Sequence, residues 1–227
     1  MRVLRATTRG QSRTAWLDSR HTFSFGQYQD RARMGISALR VINDDLVIPG
    51  AGFATHGHRD MEILSYVTRG TMQHRDSTGE AGEIPAGQFQ LMSAGSGIRH
   101  SEFNASATDE LAFLQVWIVP AQAGGAPRYQ QVALPRAPGL HLVASPDGPL
   151  QLRQDARVSR LELAPQAAAV LPLQPDRVGY VHVIQGTLRI DGELLAAGDG
   201  AAFSDQADVT AHAVDGVEAL WFDLPGA

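Results

Sequence analysis

The chain has 227 residues and a formal net charge of −5, and its 19 basic residues are all arginine. This acidic balance, with the arginines scattered along the chain, argues against a nucleic-acid-binding surface. The chain has no cysteine, which excludes disulfides, zinc–thiolate sites, iron–sulfur clusters and thiol nucleophiles. The first residues lack the apolar core of a signal peptide, and no apolar run approaches the roughly 20 residues of a membrane span. We therefore expect a cytoplasmic protein.

Short apolar runs, separated at close intervals by glycine, proline, aspartate and asparagine, predict an all-β protein. Asp44 and Asp45 fall between two of these runs and predict a hairpin turn. The sequence shows no long amphipathic helical pattern. In chain order, the predicted strands cover residues 36–42, 46–48, 63–67, 89–92, 111–119, 161–163, 181–184, 188–190 and 220–224.

An internal repeat indicates that the chain consists of two related halves. Residues 66–72 (Tyr-Val-Thr-Arg-Gly-Thr-Met) match residues 182–188 (His-Val-Ile-Gln-Gly-Thr-Leu) at an offset of 186 − 70 = 116. Farther along, Trp117 finds a sequence partner in Trp221. The offset between these two tryptophans is 221 − 117 = 104, shorter than 116. An offset that shrinks along the chain is typical of duplicated β modules whose loops have changed in length.

A turn-rich segment joins the two halves. Residues 120–149 contain most of the proline and glycine clusters of the middle of the chain and predict a linker. We place an N-terminal domain at residues 1–125 and a C-terminal domain at residues 126–227.

Two pairs of metal-ligand side chains have one residue between their members. The first pair is His56 and His58, and the second is His100 and Glu102. Because side chains alternate between the faces of a strand, the members of each pair point to the same side. Each pair follows a glycine-rich turn that can direct a strand inward. Together they predict a three-histidine, one-carboxylate site that suits a divalent transition metal with open positions.

Either pair taken alone is also compatible with polar residues on an exposed strand, and the conjunction of the two favours a site. The offset of 116 leads from His56 to Pro172 and from His58 to Gln174, so the second half lacks the first pair. We therefore expect one metal per chain, in the N-terminal domain. The sequence contains no nucleophile elbow, phosphate loop or dinucleotide fingerprint that would support a hydrolase, kinase or nicotinamide-dependent enzyme.

Other titratable residues allow more than one interpretation. Glu62 has the strand parity of His58 and could be a fifth ligand, although an acceptor behind the ligands or an ion-pair member is favoured. His21, among aromatic residues, could line a pocket or be a packed structural histidine. His74 lies in a polar hairpin segment and is interpreted as a solvated loop residue. The remaining histidines, which have no ligand-type partner at strand spacing, are interpreted as structural: His141, His182 and His212.

The glycine and histidine spacing resembles the two sequence motifs of the cupins. One position departs from that pattern: the usual histidine three residues after the last glycine of the second motif is absent, and Gln90 stands there. The matching residues are Gly50-x5-His56-x-His58 with Gly70, and Gly79-x5-Pro85-x-Gly87.

Longer segments resemble the pirin branch of the cupins. The similarity is strongest over residues 15–120, whereas the C-terminal half resembles pirins mainly in architecture. The pirin-like segments are residues 16–19, 21–25, 39–45, 52–63 and 90–102.

The resemblance implies a bicupin, in which two antiparallel β-sandwich or jelly-roll barrels face each other and only the first holds a metal. It implies His56, His58, His100 and Glu102 as the ligands. The implied metal is one divalent ion per chain, with Fe(II) expected and Cu, Ni, Mn, Co or Zn also compatible with the donors. Bacterial pirins resemble quercetin 2,3-dioxygenases, which open the central ring of a flavonol with O2 and release CO.

This function assigns further roles. Glu102 is expected to accept the proton of the flavonol hydroxyl as well as to bind the metal. The expected partners are a flavonol-like aromatic and O2, with no nucleic acid or membrane, and the chain is expected to be a monomer. Candidate linings of the substrate pocket, each equally compatible with core packing, are Phe23, Phe25, Phe53, Met61, Phe89 and Met92.

A second function stays open at this stage. Some pirins are linked to the regulation of transcription factors or metabolic enzymes, and a non-catalytic iron or redox sensor would bind a protein partner instead of a substrate. A dioxygenase with a different substrate is a third alternative, because the cupin fold hosts many reactions.

Overall fold

The structure, a computed structural model, describes residues 1–226; residue 227, the last of the predicted C-terminal domain, lies outside it. Within this range the chain folds into strands and one short 3-10 helix (Ala6–Thr8), which confirms the all-β prediction. None of the described residues forms a helix long and apolar enough to cross a membrane. The strands of the first half are β1 (Arg2–Leu4), β2 (Gly10–Arg13), β3 (Leu17–His21), β4 (Leu39–Val47), β5 (Gly52–His58), β6 (Glu62–Arg69), β7 (Thr71–Asp76), β8 (Ala81–Pro85), β9 (Gln88–Ser93), β10 (Ile98–Asn104) and β11 (Leu111–Ile118). Those of the second half are β12 (Arg128–Ala133), β13 (Gly139–Ser145), β14 (Leu150–Gln151), β15 (Arg157–Leu163), β16 (Ala168–Leu171), β17 (Val178–Gln185), β18 (Thr187–Ile190), β19 (Glu193–Ala196), β20 (Gly200–Phe203), β21 (Val209–Ala213) and β22 (Val217–Leu224).

The strands pair into two sandwiches, each made of one large and one small sheet. In the first sandwich, a seven-stranded sheet of order β12-β9-β6-β11-β4-β3-β2 packs on a four-stranded sheet of order β5-β10-β7-β8. The second sandwich repeats this plan with the orders β1-β20-β17-β22-β15-β13-β14 and β16-β21-β18-β19. The two central strand triplets, β9-β6-β11 and β20-β17-β22, are equivalent, so the duplication read from the sequence extends to the sheet order.

Two strands cross between the sandwiches. The N-terminal strand β1 extends the large sheet of the second sandwich, where Val3 pairs with Ala201. In return, β12 extends the large sheet of the first sandwich, where Val132 pairs with Phe89. The linker prediction for residues 120–149 is therefore wrong, because the prolines and glycines there are turns around β12 and β13. The division at residue 125 stays a prediction, and strand pairing crosses it in both directions.

The two large sheets face each other across a shared apolar core. Tyr66 and Phe89 of the first sandwich stack with ring centroids 4.0 Å apart, and Tyr180 and Phe222 of the second pack in the same cluster. All four rings are at most 1% exposed. Burying a side chain of this size stabilises the fold by about 1.5–3 kcal/mol, so this interface is a major source of stability. The predicted face-to-face arrangement is confirmed.

The repeated sequence segment forms the same glycine turn in both halves. Gly70 connects β6 to β7 with φ = 78°, and Gly186 connects β17 to β18 with φ = 82°. A Cβ atom on Gly186 would lie 2.1 Å from the carbonyl oxygen of Gly216, and one on Gly70 would lie 2.8 Å from that of Glu110. Both the left-handed backbone and the close approach require glycine, which explains its presence at both positions.

The interior of the first sandwich contains a polar layer. Ser65 on β6 pairs with Gln90 on β9 and with Gln115 on β11, and all three side chains are buried. The interior apolar residues form two separate clusters, one around Met72 and one around Met92. The first barrel therefore has a hydrogen-bonding centre between two apolar ends.

The second interior is apolar at the equivalent positions. Ser65 corresponds to Val181 (65 + 116 = 181), which pairs with Ala201 and Trp221 in the same register. These residues belong to one continuous apolar cluster. Trp221 therefore occupies the position of Gln115, and its sequence match to Trp117 is wrong, because that match aligns residues two positions apart in register.

The prediction of a hairpin turn at Asp44 and Asp45 is wrong, since both lie in the middle of strand β4. Their side chains take opposite faces. The carboxylate of Asp44 pairs with Arg9 and lies 3.6 Å from Nε2 of His182; burial alone would raise the pKa of Asp44, but these partners hold it at about 2. Asp45 is buried on the other face, and burial raises its pKa to about 7. Two aspartates can interrupt an apolar run without ending the strand because Asp44 has charged partners on one face and Asp45 enters the polar interior on the other.

Replacing Asp45 by asparagine should stabilise the metal-free protein more at about pH 8 than at about pH 5. The pKa of Asp45 in the folded protein (about 7) lies above its ordinary value of 3.8. The wild-type protein therefore loses stability as the pH rises through that range, whereas Asp45→Asn does not. Because one pKa unit corresponds to about 1.4 kcal/mol, we expect the difference between the two pH values to be about 1–3 kcal/mol.

Urea unfolding of both proteins at the two pH values, with a chelator present to keep them metal-free, would measure this difference in the free energy of unfolding. Asp191→Asn, at an exposed position, is the control and should show none. A stability change for Asp45→Asn that is the same at both pH values would contradict the prediction.

Candidate metal centre

The two predicted ligand pairs lie on adjacent antiparallel strands of the small sheet. His56 pairs directly with His100, and His58 pairs with Ile98. The register shifts between His100 and Glu102: His100 pairs with His56 but Glu102 pairs with Phe53, so β5 contains the extra residue of a bulge. A bulge re-aims the side chains that follow it, and bulges are frequent beside functional sites. The strand parity used to predict the site is therefore realised in one small area of β5 and β10.

Three imidazole nitrogens converge on one point. Nε2 of His100 lies 3.0 Å from Nε2 of His58 and 3.1 Å from Nε2 of His56. Three nitrogens bound at right angles to one ion, each at about 2.1 Å, would be separated by about 3.0 Å. The spacing therefore fits three ligands on one face of a metal ion.

The protonation of these rings leaves their lone pairs available. Nδ1–H of His56 donates to the carbonyl oxygen of Ala54 (2.8 Å), which directs its Nε2 lone pair to the cluster. Burial and the neighbouring imidazoles lower the pKa of His58 to about 4 and that of His100 to about 2. Both rings are neutral at neutral pH, as a metal ligand must be.

Glu102 lies on the inner side of the cluster and is 2% exposed. Its Oε1 accepts hydrogen bonds from Nε2 of Gln90 (3.1 Å) and Oγ of Ser65 (3.4 Å), and its Oε2 accepts one from Nε2 of Gln115 (3.0 Å). Burial, and then the charge of Asp45, raise the pKa of Glu102 to about 7. This carboxyl group can therefore take up or release a proton near neutral pH.

Gln90 explains the departure from the usual cupin motif. It occupies the position of the absent histidine, and its amide donates to Glu102 instead of offering a lone pair. A second amide connects Glu102 to the histidines: Gln115 donates to Glu102, accepts from Nε1 of Trp117 (3.2 Å), and the Trp117 ring stands edge-on to His58 at 5.1 Å. The carboxylate and the histidine cluster are thus connected through two hydrogen bonds and one edge-on ring contact.

The cluster is open on one side. His56 and His58 are half-buried, whereas His100 is 1% exposed. His58 also borders a surface cleft of about 490 Å³, which Arg59 and Arg99 line as well. A cavity of about 610 Å³ lies between the sandwiches and contains none of the predicted ligands. A molecule reaching the cluster would therefore approach from the side of β5.

Four of the six candidate pocket residues lie around this open side. Phe53 has its ring 6.3 Å from that of His56, and Phe25 stands edge-on to Trp117 at 5.4 Å. Met61 and Met92 pack in the same cluster as Trp117. Trp117 itself contacts His58 and was missed by the sequence reasoning, because a lone tryptophan in a strand carries no ligand signal.

The structure does not bring Phe23 and Phe89 to the metal cluster. Phe89 precedes Gln90 and therefore faces the opposite side of β9, where it stacks on Tyr66. Phe23 packs 5.9 Å from Tyr180 in the core between the sandwiches. Both residues therefore belong to ordinary core packing.

Glu62 and His21 have their hydrogen bonds away from the cluster. Oε2 of Glu62 accepts from Oγ of Ser93 (2.8 Å) and from the backbone N–H of Arg153 (3.2 Å), which connects the rim of the site to the second half of the chain. His21 is 1% exposed, donates from Nδ1 to Asn43 (2.8 Å) and contacts Ser12 through Nε2 (2.8 Å). These contacts match an acceptor behind the ligands for Glu62 and a packed structural histidine for His21.

His74 is the main residue that the sequence reasoning misplaced. It is fully buried on strand β7, where it pairs with Glu102, and Asp76 pairs with His100. The interpretation of His74 as a solvated loop residue is wrong, because the polar residues that follow it belong to the turn after the strand. His74 and Asp76 form a third pair with one residue between its members, so the parity rule that selected the other two pairs could have found it.

The sequence of both halves is similar to that of known families. A family model described as Pirin matches residues 3–118, and a model described as the quercetinase C-terminal cupin domain matches residues 142–224. The chain is 46% identical over 224 residues to a protein of Escherichia coli (strain K12) named quercetin 2,3-dioxygenase, and the aligned residues cover 97% of each chain. The chain belongs to the pirin family.

Solved pirin structures share the whole architecture. YhhW from Escherichia coli superposes with a TM-score of 0.97 at 45% identity, covering 99% of this chain and 97% of that one. A second structure of the same bacterial pirin, in complex with nickel(II), gives a TM-score of 0.96 at 44% identity and covers 99% of both chains. The bicupin prediction is confirmed. In the present chain, the clustered histidine and carboxylate donors suit one metal ion.

Adding Ni(II) to the metal-free pirin should raise its melting temperature. An ion that binds only the folded protein stabilises it by about 2.7 kcal/mol at 100 times its Kd. His58→Ala should abolish most of this stabilisation, because it removes one of three converging donors. Differential scanning fluorimetry with and without Ni(II) provides the measurement.

His212→Ala removes an exposed histidine of the second sandwich and is the matched control; it should retain the full Ni(II) effect. An equal rise in melting temperature in His58→Ala would mean that the ion binds elsewhere.

Proposed function

We propose that this pirin is a metal-dependent dioxygenase of the quercetin 2,3-dioxygenase type, which opens a flavonol ring with O2 and releases CO. The observation that carries the proposal is the convergence of three imidazole rings beside a buried carboxyl group, with Nε2 of His100 3.0 Å from that of His58 and 3.1 Å from that of His56. The name of the Escherichia coli relative, at 46% identity over 97% of both chains, supports this reaction class.

The proposed ligands are His56, His58, His100 and Glu102, and the proposed metal is Fe(II). Nitrogen and carboxylate donors suit several divalent ions, and an iron ion adds redox chemistry with O2 to its effect on the acidity of a bound hydroxyl. The nickel(II) complex of the bacterial pirin YhhW supports the binding of a divalent metal ion by this fold. Metal analysis of freshly purified protein identifies the resident ion.

Glu102 is the proposed acceptor for the proton of the flavonol 3-hydroxyl group. The hydrogen bonds from Gln90 and Gln115 fix its carboxyl group in place, so that a proton can arrive at one oxygen while the other stays hydrogen-bonded. A pKa of about 7 suits a group that alternates between the two protonation states near neutral pH. No other carboxyl group of the polar layer contacts both amides among the described residues.

The open side of the cluster is the proposed binding site of the aromatic rings. Phe53, Met61 and Trp117 supply apolar and aromatic surface beside His56 and His58. Apolar walls with a few polar groups are typical of sites for small aromatic molecules, and they exclude water from the reacting bond.

Iron-loaded pirin should consume quercetin under O2 and release one CO per flavonol consumed. The loss of the flavonol absorption band measures consumption of the substrate, and a CO sensor measures release of the product. Glu102→Gln preserves the shape of the side chain but cannot accept the proton, so we expect kcat to fall about 100-fold or more. His56→Ala should abolish turnover, and His212→Ala should leave it unchanged.

Two outcomes would contradict the proposal. Turnover that survives the removal of two proposed ligands would rule out this site. Fewer than one turnover per metal, together with a protein partner that binds only one oxidation state of the iron, would favour the redox-sensing regulator.

A further inference from the structure

A buried pair on strand β7 faces the inner ligands and has no role in the proposed reaction. His74 is fully buried, its cross-strand neighbour is Glu102, and Asp76 is opposite His100. One ligand atom from each of His74, His100 and Glu102 lies within 4.8 Å of the others. Residues that pair directly across two strands on one face have adjacent side chains, so His74 and Asp76 form a wall of the centre.

Asp76 fixes the tautomer of His74. Nε2–H of His74 donates to Oδ2 of Asp76 at 3.0 Å. The other oxygen, Oδ1, is occupied by the backbone N–H and hydroxyl of Thr78 (2.8 and 2.6 Å) and by the backbone N–H of Glu80 (3.3 Å). With its proton on Nε2, the neutral His74 ring presents a lone pair at Nδ1. Tyr129, on the crossing strand β12, stacks on the ring at 4.7 Å and limits its rotation.

The centre also contains a buried donor that needs this acceptor. His100 directs Nε2 to the metal cluster, so a neutral His100 carries its proton on Nδ1. Neither Nδ1 of His100 nor Nδ1 of His74 has a hydrogen-bond partner among residues 1–226. The two rings lie on paired strands with their centroids 5.5 Å apart. Buried polar atoms are nearly always satisfied, and metal-binding histidines usually donate their second ring N–H.

The second sandwich shows that the fold does not require polar residues here. The offset of 116 leads from His74 to Ile190, which pairs with Ala211 as His74 pairs with Glu102. Ile190 and Ala211 are fully buried in the apolar cluster of that sandwich. The same framework therefore holds an apolar side chain at the position of His74 when no metal ligands are nearby.

We infer that His74 is a positioning residue that accepts the Nδ1–H of His100, directly or through one water, and so fixes the orientation in which His100 meets the metal. Asp76 acts through His74 by holding its proton on Nε2. This inference rests on the metal site of the proposed function, although it does not depend on flavonol turnover.

His74→Phe removes the acceptor and retains an aromatic ring that can stack on Tyr129. Competition of the variant against a chelator for Ni(II) should show a loss of affinity of about 10- to 100-fold, the usual effect of removing a group that orients a ligand. His182→Phe, which replaces an equally buried histidine of the second sandwich, is the matched control. It should lower thermal stability and leave the Ni(II) affinity unchanged.

Asp76→Asn tests the same hydrogen bond without a change in shape. Since three donors occupy Oδ1 of Asp76, the amide should keep its oxygen there and turn its NH2 group to His74. The proton of His74 would then move to its Nδ1, and this N–H group would face the Nδ1–H of His100, so that no hydrogen bond could form between the two rings. We expect weaker Ni(II) binding in this variant too, even if His74→Phe fails to fold.

Imidazole ¹H–¹⁵N NMR of the Zn(II)-loaded protein gives a readout that a purely structural role would not move. The wild-type protein should show a slowly exchanging Nδ1–H signal for His100, and both variants should lose it. The Nδ1–H group of His56 donates a hydrogen bond to the carbonyl oxygen of Ala54. Its signal should remain in all samples and serves as the internal control.

Unchanged Ni(II) affinity and an unchanged His100 signal in either folded variant would overturn the inference, as would a wild-type protein that binds no Ni(II). Because neither readout involves a flavonol, failure of the proposed reaction and failure of this inference are separate results.

Discussion

A carboxyl group at the centre of a β-sandwich needs hydrogen-bond donors, and the first barrel is arranged around this requirement. Glu102 receives donors from three different strands through Ser65, Gln90 and Gln115. Removing one partner of a buried charged group typically destabilises a protein by about 3–5 kcal/mol. The polar layer and the separation of the apolar clusters both follow from placing this group inside.

The duplicated framework shows what the fold needs and what the chemistry adds. Both sandwiches share strand order, register and the glycine turn between two central strands. Trp221 fills the second interior at the position where Gln115 serves the first. One backbone plan is therefore stable with either an apolar or a polar interior, provided that every polar group of the latter is bonded. The metal centre is a change of side chains within a framework that does not need it.

Strand parity alone predicted much of the site, because a period of two is local information. It selected the histidines and carboxylate of β5 and β10, and the duplicated segment located the barrel that contains them. The same rule applied to β9 would have separated Gln90, which faces the interior, from Phe89, which does not. His74 was missed because its strand ends in a polar turn, so composition favoured a loop. The strand containing Asp44 and Asp45 was divided in two for the same reason: local polarity does not reveal which buried partners a distant segment supplies.

The exchange of β1 and β12 has a consequence for the order of events during synthesis. Strand β1 is synthesised long before its partner, since Leu4 lies opposite Gly200 and the two are about 200 residues apart in the chain. Neither large sheet can be completed from its own half of the chain, and contacts this distant in sequence form slowly. A nascent chain holding only the metal-binding half would expose the unpaired edge of β9 and the apolar face of its large sheet, which are features that promote aggregation. The two halves of this pirin must therefore fold together. The metal centre is complete only when β12 has paired with β9 and Tyr129 has stacked on His74.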